Sequence, residues 1–169
     1  MTRNVQYVAA LAVLCLAGGA RAQEQKAPAH VLLIPAETKW SAEIPPVFEK
    51  GMLLTVVSGD PGKPGAFVVR LKMPAGYKIA AHWHPTDENV TVLTGTFGLG
   101  MGDKFDKAAL KDVPAGGFAL LPAEMRHFAM AKTAVTLQVH GTGPFTLTYV
   151  NPDDDPSKRA PMPAKPKTN

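Results

Sequence analysis

The segment AAHWHPTDENVTVLTG, residues 80 to 95, sets His82 and His84 one residue apart and places Glu88 four residues after the second. Successive side chains of a β-strand point to opposite faces, so on a strand the two imidazoles share a face and Trp83 points away. Two imidazoles so placed can converge on one metal ion. The turn Pro85-Thr86-Asp87 can then return Glu88 to that ion as an oxygen ligand. An exposed strand that happens to carry two histidines is the competing reading. A third nitrogen has to come from a distant strand, because ligands drawn from one hairpin leave the far side of the ion open. His127, near the start of an apolar run after the turn PAEMRH, is the natural candidate.

These residues need a scaffold of short strands, and the chain reads as one. Between residues 30 and 150 the runs HVLLIP, GMLLTVVSG, AFVVRLKMP, YKIAAHWH, ENVTVLTGTFGLG, GFALLP, HFAMA, AVTLQVH and FTLTYV are β-branched or alternating. SGDPGKPG, MPAG, HPTDE and VPAGG punctuate them as turns, in a chain with 15 glycines and 16 prolines. One helical turn is expected around residues 107–111. An all-β sandwich or barrel of eight or more strands follows. At 169 residues the chain has room for one domain with a full core.

On that scaffold the spacing carries a resemblance. Gly76, five residues, His82, one residue, His84, three residues, Glu88, six residues and Gly95 resembles the first motif of the cupin superfamily at every position. Gly116, five residues, Pro122 and then His127 is similar to its second motif. The resemblance covers roughly residues 50 to 150. It implies a cupin jelly-roll barrel in which His82, His84, Glu88 and His127 bind one divalent transition-metal ion. Two positions depart from the motif: Glu124 stands where it has a glycine, and Ala131 where it ends in asparagine. Neither is a ligand position, although glutamate adopts the glycine's turn conformation less readily. A zinc site of the carbonic-anhydrase kind uses a similar histidine pattern, but it needs a far longer chain and leaves Gly76, Gly95 and Gly116 unexplained.

The ends of the chain read differently. Residues 1–22 have the signature of a secretory signal peptide: Arg3 in a polar head, an apolar run over residues 8–17, and Ala20-Arg21-Ala22 as the cleavage site. That run is shorter than the roughly 20 residues a membrane-spanning helix takes. A secreted or periplasmic protein is expected, with the cupin domain and its N-terminal strand segment over residues 23–150 and no membrane association after cleavage. Cys15, the only cysteine, leaves with the leader, so no disulfide or thiolate remains. Removing Arg3 and Arg21 takes two charges from the formal +4 and leaves +2. No basic stripe interleaved with aromatics occurs in the folded part, which argues against a nucleic-acid partner. Residues 151–169, rich in proline and lysine, read as a disordered tail.

Three imidazoles and a carboxylate suit Mn, Fe, Ni, Cu or Zn, and affinity rises along that row to copper. A chain that folds after export meets no cytoplasmic metal buffering, so copper is favoured, with Mn, Fe and Zn open. The first functional expectation is a metal-dependent oxidoreductase acting with O2 or peroxide on a small organic or carbohydrate substrate. The alternatives are a non-catalytic metal- or ligand-binding module of the sensor kind, or a sugar isomerase or decarboxylase. Glu88 is the candidate catalytic base. His140, Glu124, Arg126 and Tyr77 are further candidates for proton transfer. His140 alternates with Val135, Leu137 and Val139 and therefore points away from their apolar face. Arg126 and Glu124 read as a solvated pair at the rim.

Met73, Met125 and Met130 read as packing residues before copper ligands. Trp40 and Trp83 read likewise as packing or interface residues, and His30 as a surface residue. A homodimer covering the HVLLIP strand or the Trp83 face is expected. Light scattering that finds a monomer at micromolar concentration would count against it.

Overall fold

A computed structural model describes residues 30–159. The leader over residues 1–22 and the last ten residues of the tail lie outside them. Ten strands follow in order: β1 (Leu53–Ser58), β2 (Gly65–Met73), β3 (Lys78–Trp83), β4 (Glu88–Thr94), β5 (Thr96–Met101), β6 (Lys111–Pro114), β7 (Phe118–Leu121), β8 (His127–Ala131), β9 (Val135–Gly143) and β10 (Thr148–Tyr149). They form two five-stranded antiparallel sheets, ordered β1-β2-β9-β4-β7 and β10-β3-β8-β5-β6. The strand and turn pattern leads to an all-β sandwich or barrel, and the two sheets form the jelly-roll arrangement that the cupin resemblance implies. The turn expected near residue 107 is a 3-10 turn over Lys107–Ala109, capped by the Asp106 carboxylate, which accepts from the Ala108 N–H.

Alternation decides which face of each strand is buried. In β2 Phe67, Val69, Leu71 and Met73 turn inward, and in β9 Val135, Leu137 and Val139 do the same. The register sets Val69 against Val139 and Leu71 against Leu137, so the two inward rows form one apolar surface. On the outward face Arg70 Nε donates to Gln138 Oε1 at 3.2 Å. In β4 the same rule puts Glu88 in line with Val90 and Val92, and all three are buried. Inward residues of the second sheet, among them Ile79, Phe97, Leu99, Ala129 and Ala131, close the core from the other side.

Two expectations are corrected here. HVLLIP is no strand: residues 31–34 pair with nothing in either sheet, Val31, Leu32 and Ile34 are exposed, and a 3-10 turn, Pro35–Glu37, follows. Pro35 and the polar residues after it interrupt the apolar run before a sheet partner is reached. The tail reading also begins too early. Residues 151–159 form two capped 3-10 turns, Pro152–Asp154 and Pro156–Lys158, and the Arg159 guanidinium pairs with the Glu49 carboxylate. Asn151 and Asp155 cap these turns through their side chains, which composition alone does not reveal.

Candidate metal centre

β3 does not keep strict alternation. Its pairing with β8 sets Ile79 against Ala129 and His82 against His127, with a slip of register between them. Ile79 faces the core, whereas Ala81 joins Leu110, Phe128 and Met130 in a second cluster on the outer face. The irregularity has the effect of a β-bulge, which re-aims the residues after it. Without it His82 would share a face with Lys78 and Ala80, opposite Ile79. With it, His82 and His84 enter the interior. His82, His84 and His127 are 3%, 5% and 2% exposed, and Glu88 is 9% exposed.

One ring nitrogen from each of His82, His84 and His127 lies within 4.8 Å of the other two. Each Nδ1 faces a backbone carbonyl: Ala80 at 2.7 Å from His82, Thr146 at 2.7 Å from His84, and Met125 at 2.9 Å from His127. A carbonyl oxygen can only accept, so each Nδ1 carries the hydrogen and each Nε2 is left as a bare lone pair. His84 Nε2 is buried with no hydrogen-bond partner among the described residues. Glu88 Oε2 lies 3.5 Å from that atom and 3.3 Å from His127 Nε2. Lone pairs and a carboxylate turned toward one another repel unless a cation stands among them. The donor set therefore fits a metal ion.

Protonation of His82 and His84 is held down. Burial, reinforced by the neighbouring His127 and His84, pushes His82 well below the usual imidazole value of 6.5. Burial also lowers His84, against an upward pull from Glu88. In the unfolded chain both imidazoles take up protons near pH 6.5, so the unfolded state binds more protons below that pH. Their contribution to stability is complete above pH 6.5 and declines as pH falls toward the depressed folded values. Metal-free protein should accordingly show a lower urea midpoint at pH 5.5 than at pH 7.5. An equal midpoint at the two values would show that the imidazoles are not buried in neutral form.

The turn before β8 is stitched to the loop after β3. The Glu124 N–H donates to the His84 carbonyl at 2.8 Å, and the Ala123 N–H donates to Asp87 Oδ1 at 2.8 Å. Glu124 occupies the motif's glycine position with φ 63°, the left-handed conformation that the motif requires there. Glu124→Gly is expected to raise stability by about 1 kcal/mol by relieving that strain. The change in urea midpoint at unchanged metal content measures it, and a loss of stability would refute the strain.

The remaining candidates lie elsewhere. His140 sits on the outward face of β9, opposite Val68 on one side and Asn89 on the other, and is absent from the cavity wall. Arg126 pairs with Asp103 at 2.8 Å, not with Glu124, so the expected rim pair is replaced by a bridge to the loop after β5. The Tyr77 hydroxyl donates to the Glu49 carbonyl. Met73 is in the main core, Met130 in the second cluster, and Met125 is exposed. Trp83 is half-buried, Trp40 lies beside the Lys72 ammonium, and His30 is exposed.

Two positioning residues went unread in the sequence. Gly141 stands opposite Glu88 in the β4–β9 register, where a Cβ would lie 2.7 Å from the Asp87 carbonyl oxygen. A lone glycine inside the strand pattern AVTLQVHG was the available signal. Phe145 stacks on the His84 ring, with centroids 4.1 Å apart and an interplanar angle of 15°. Nothing in the local pattern distinguishes it from a packing residue.

The cluster opens on a cavity of about 360 Å³ lined by the first sheet, β3 of the second, the segment before β1 and the loop before β10. His82, His84 and Glu88 contribute to its wall.

No family model and no curated protein matches this sequence. Solved structures do. The chain is similar to the polyketide cyclase RemF from Streptomyces resistomycificus, at 16% identity and TM-score 0.61 over 76% of this chain and 91% of that one. It is similar to a putative acetylacetone dioxygenase from Methylibium petroleiphilum, at 22% identity and TM-score 0.57 over 78% and 89%. It is also similar to an RmlC-like cupin from Shewanella frigidimarina, at 16% identity and TM-score 0.52 over 68% and 92%. The chain has the cupin fold. Its His82, His84 and His127 cluster fits a cupin metal site.

Proposed function

We propose that this chain is an exported, metal-dependent oxidoreductase acting on a small organic substrate, with one divalent ion held by His82, His84, His127 and Glu88. The carrying observation is that the donor cluster forms part of the wall of a substrate-sized cavity, so a molecule in the cavity would reach the ion. A redox-active ion supplies Lewis acidity and electron exchange with O2 or peroxide when bound. The chain's own part is to hold three neutral imidazoles in one tautomer through the Ala80, Thr146 and Met125 carbonyls. A substrate against the apolar walls would displace water from them, and Glu88 is placed to take a proton from that substrate. The similar polyketide cyclase and putative acetylacetone dioxygenase support a small organic substrate, and the dioxygenase supports redox chemistry.

Copper remains our choice of metal on the affinity order for exported proteins, without help from the methionines, which stand away from the cluster. The test is elemental analysis of protein isolated from its native compartment, followed by oxygen uptake over phenols, diketones and small carboxylic acids. Stoichiometric Mn or Fe would reject copper. A metal-loaded protein inert across that panel would reject the oxidoreductase in favour of a binding module.

A further inference from the structure

The cavity beside the metal cluster selects for a particular kind of molecule. Phe67, Val69, Leu71, Val139, Phe145 and Leu147 form much of its wall. Besides His82, His84 and Glu88, Thr146 is the one polar residue that lines it among the described residues, and the Thr146 carbonyl is already taken by His84 Nδ1. No lysine or arginine among the described residues reaches it. Its polarity is thus gathered at one end, around the donor cluster, and the rest is hydrocarbon and aromatic ring.

We infer that the cavity takes a small apolar monoanion, a carboxylate, enolate or phenolate, with its oxygen end at His82, His84 and Glu88 and its apolar body between the Phe67–Phe145 pair and Leu147. The inference rests on the metal-centred reading above. A divalent ion with the Glu88 carboxylate leaves one net positive charge among the neutral imidazoles, which one anionic oxygen group neutralises. A second carboxylate would be buried with no cation to pair with it. A sugar would bury hydroxyls against Val69, Leu71 and Val139 with no partners, and each unmet group weakens binding. The space, about 360 Å³, equals the share of roughly a dozen waters in the liquid. That admits one ring or a short chain, and release of those waters from apolar walls favours binding. The carbohydrate option of the sequence reading is thereby set aside.

Phe145 and Leu147 set the breadth of this pocket. Phe145 touches the Phe67 ring at a centroid distance of 5.0 Å and stacks on His84, so it joins the apolar wall to a metal ligand. Leu147 is half-buried in the loop before β10, outside the strand ladders, where a polar substitute of similar length can be accommodated.

The experiment compares two monocarboxylates of equal charge, 3-phenylpropanoate and glucuronate, by calorimetric titration into the metal-loaded full chain, with metal content measured on the same sample. The expected result is that 3-phenylpropanoate binds at least tenfold more tightly. Leu147→Gln should shrink that ratio severalfold while metal content stays unchanged. Equal or tighter binding of glucuronate overturns the inference, as does failure of both to bind at millimolar concentration. Either failure in a sample that holds its metal leaves the metal-centred reading standing. A sample that binds no metal overturns both. Absence of oxygen uptake beside selective binding removes only the oxidoreductase.

Discussion

His84→Ala should yield a folded protein that no longer holds a metal ion tightly, whereas His140→Ala should keep its full complement. His84 lies just past the end of β3 and belongs to neither apolar cluster, so its loss leaves the two sheets and their core intact. What goes is the buried Nε2 that has no hydrogen-bond partner among the described residues. Losing an outer-shell partner of a ligand typically costs 10–100-fold in metal affinity, so losing the ligand itself should cost more than about 100-fold. The readout is metal content after dialysis, together with the rise in melting temperature on adding metal. A ligand at 1,000 times its dissociation constant stabilises the native state by about 4 kcal/mol. That metal-dependent rise should be present in wild type and His140→Ala and absent in His84→Ala. The Asn89 side-chain amide donates to the His140 backbone carbonyl, a group that alanine keeps, as it keeps the pairing of β9 with β2 and β4. A His84→Ala protein that retains one tightly bound ion would reject the site. Loss of metal from His140→Ala would place the ion on the outer face of β9.

The outward placement of His140 was readable because it sits in a run with a period of two. Val135, Leu137 and Val139 are so strongly apolar that the opposite phase, carrying His140, had to face outward. Glu88 was legible for the same reason, since it leads the row Val90 and Val92. The phase of β3 was not legible. Ile79, Ala81 and Trp83 alternate as cleanly as any core row, and read alone they would send His82 and His84 to the outside. The slip of register after Ile79 reverses this, and nothing within YKIAAHWH announces it, because a bulge is a property of the pair and depends on how β8 runs beside it. The matched glycine and histidine spacing carried the assignment past that ambiguity. Local pattern failed in the opposite direction at residues 30–34, where an apolar run without a sheet partner stays exposed. Propensity for a strand becomes a strand only when an edge is available to receive it. Glu124 lies between these cases: the left-handed turn needed there was evident from the motif, and the tertiary stitching to His84 and Asp87 holds a glutamate in it.

Glu88→Gln should separate metal binding from chemistry. Glutamine keeps the length and the neutral oxygen of the side chain, so at saturating metal the ion should still load onto His82, His84 and His127, with weaker affinity from the lost charge. It cannot take a proton. If Glu88 is the base of the proposed oxidoreductase, substrate-dependent oxygen uptake should fall by about 10²–10⁴-fold, the usual range for loss of a general base. The position is tightly set: Glu88 opens β4 between Leu121 of β7 and Gly141 of β9, with its carboxylate oxygen 3.3 and 3.5 Å from two imidazole nitrogens. Gly141 leaves no Cβ to press on the Asp87 carbonyl, the backbone just before Glu88. A merely structural role would show itself as a lower melting temperature of the metal-free protein with turnover per bound metal unchanged. The catalytic role requires the reverse, with the metal-free melting temperature within a few degrees of wild type and turnover per bound metal collapsed. Unchanged turnover in Glu88→Gln would remove Glu88 from the chemistry and leave it as a ligand alone.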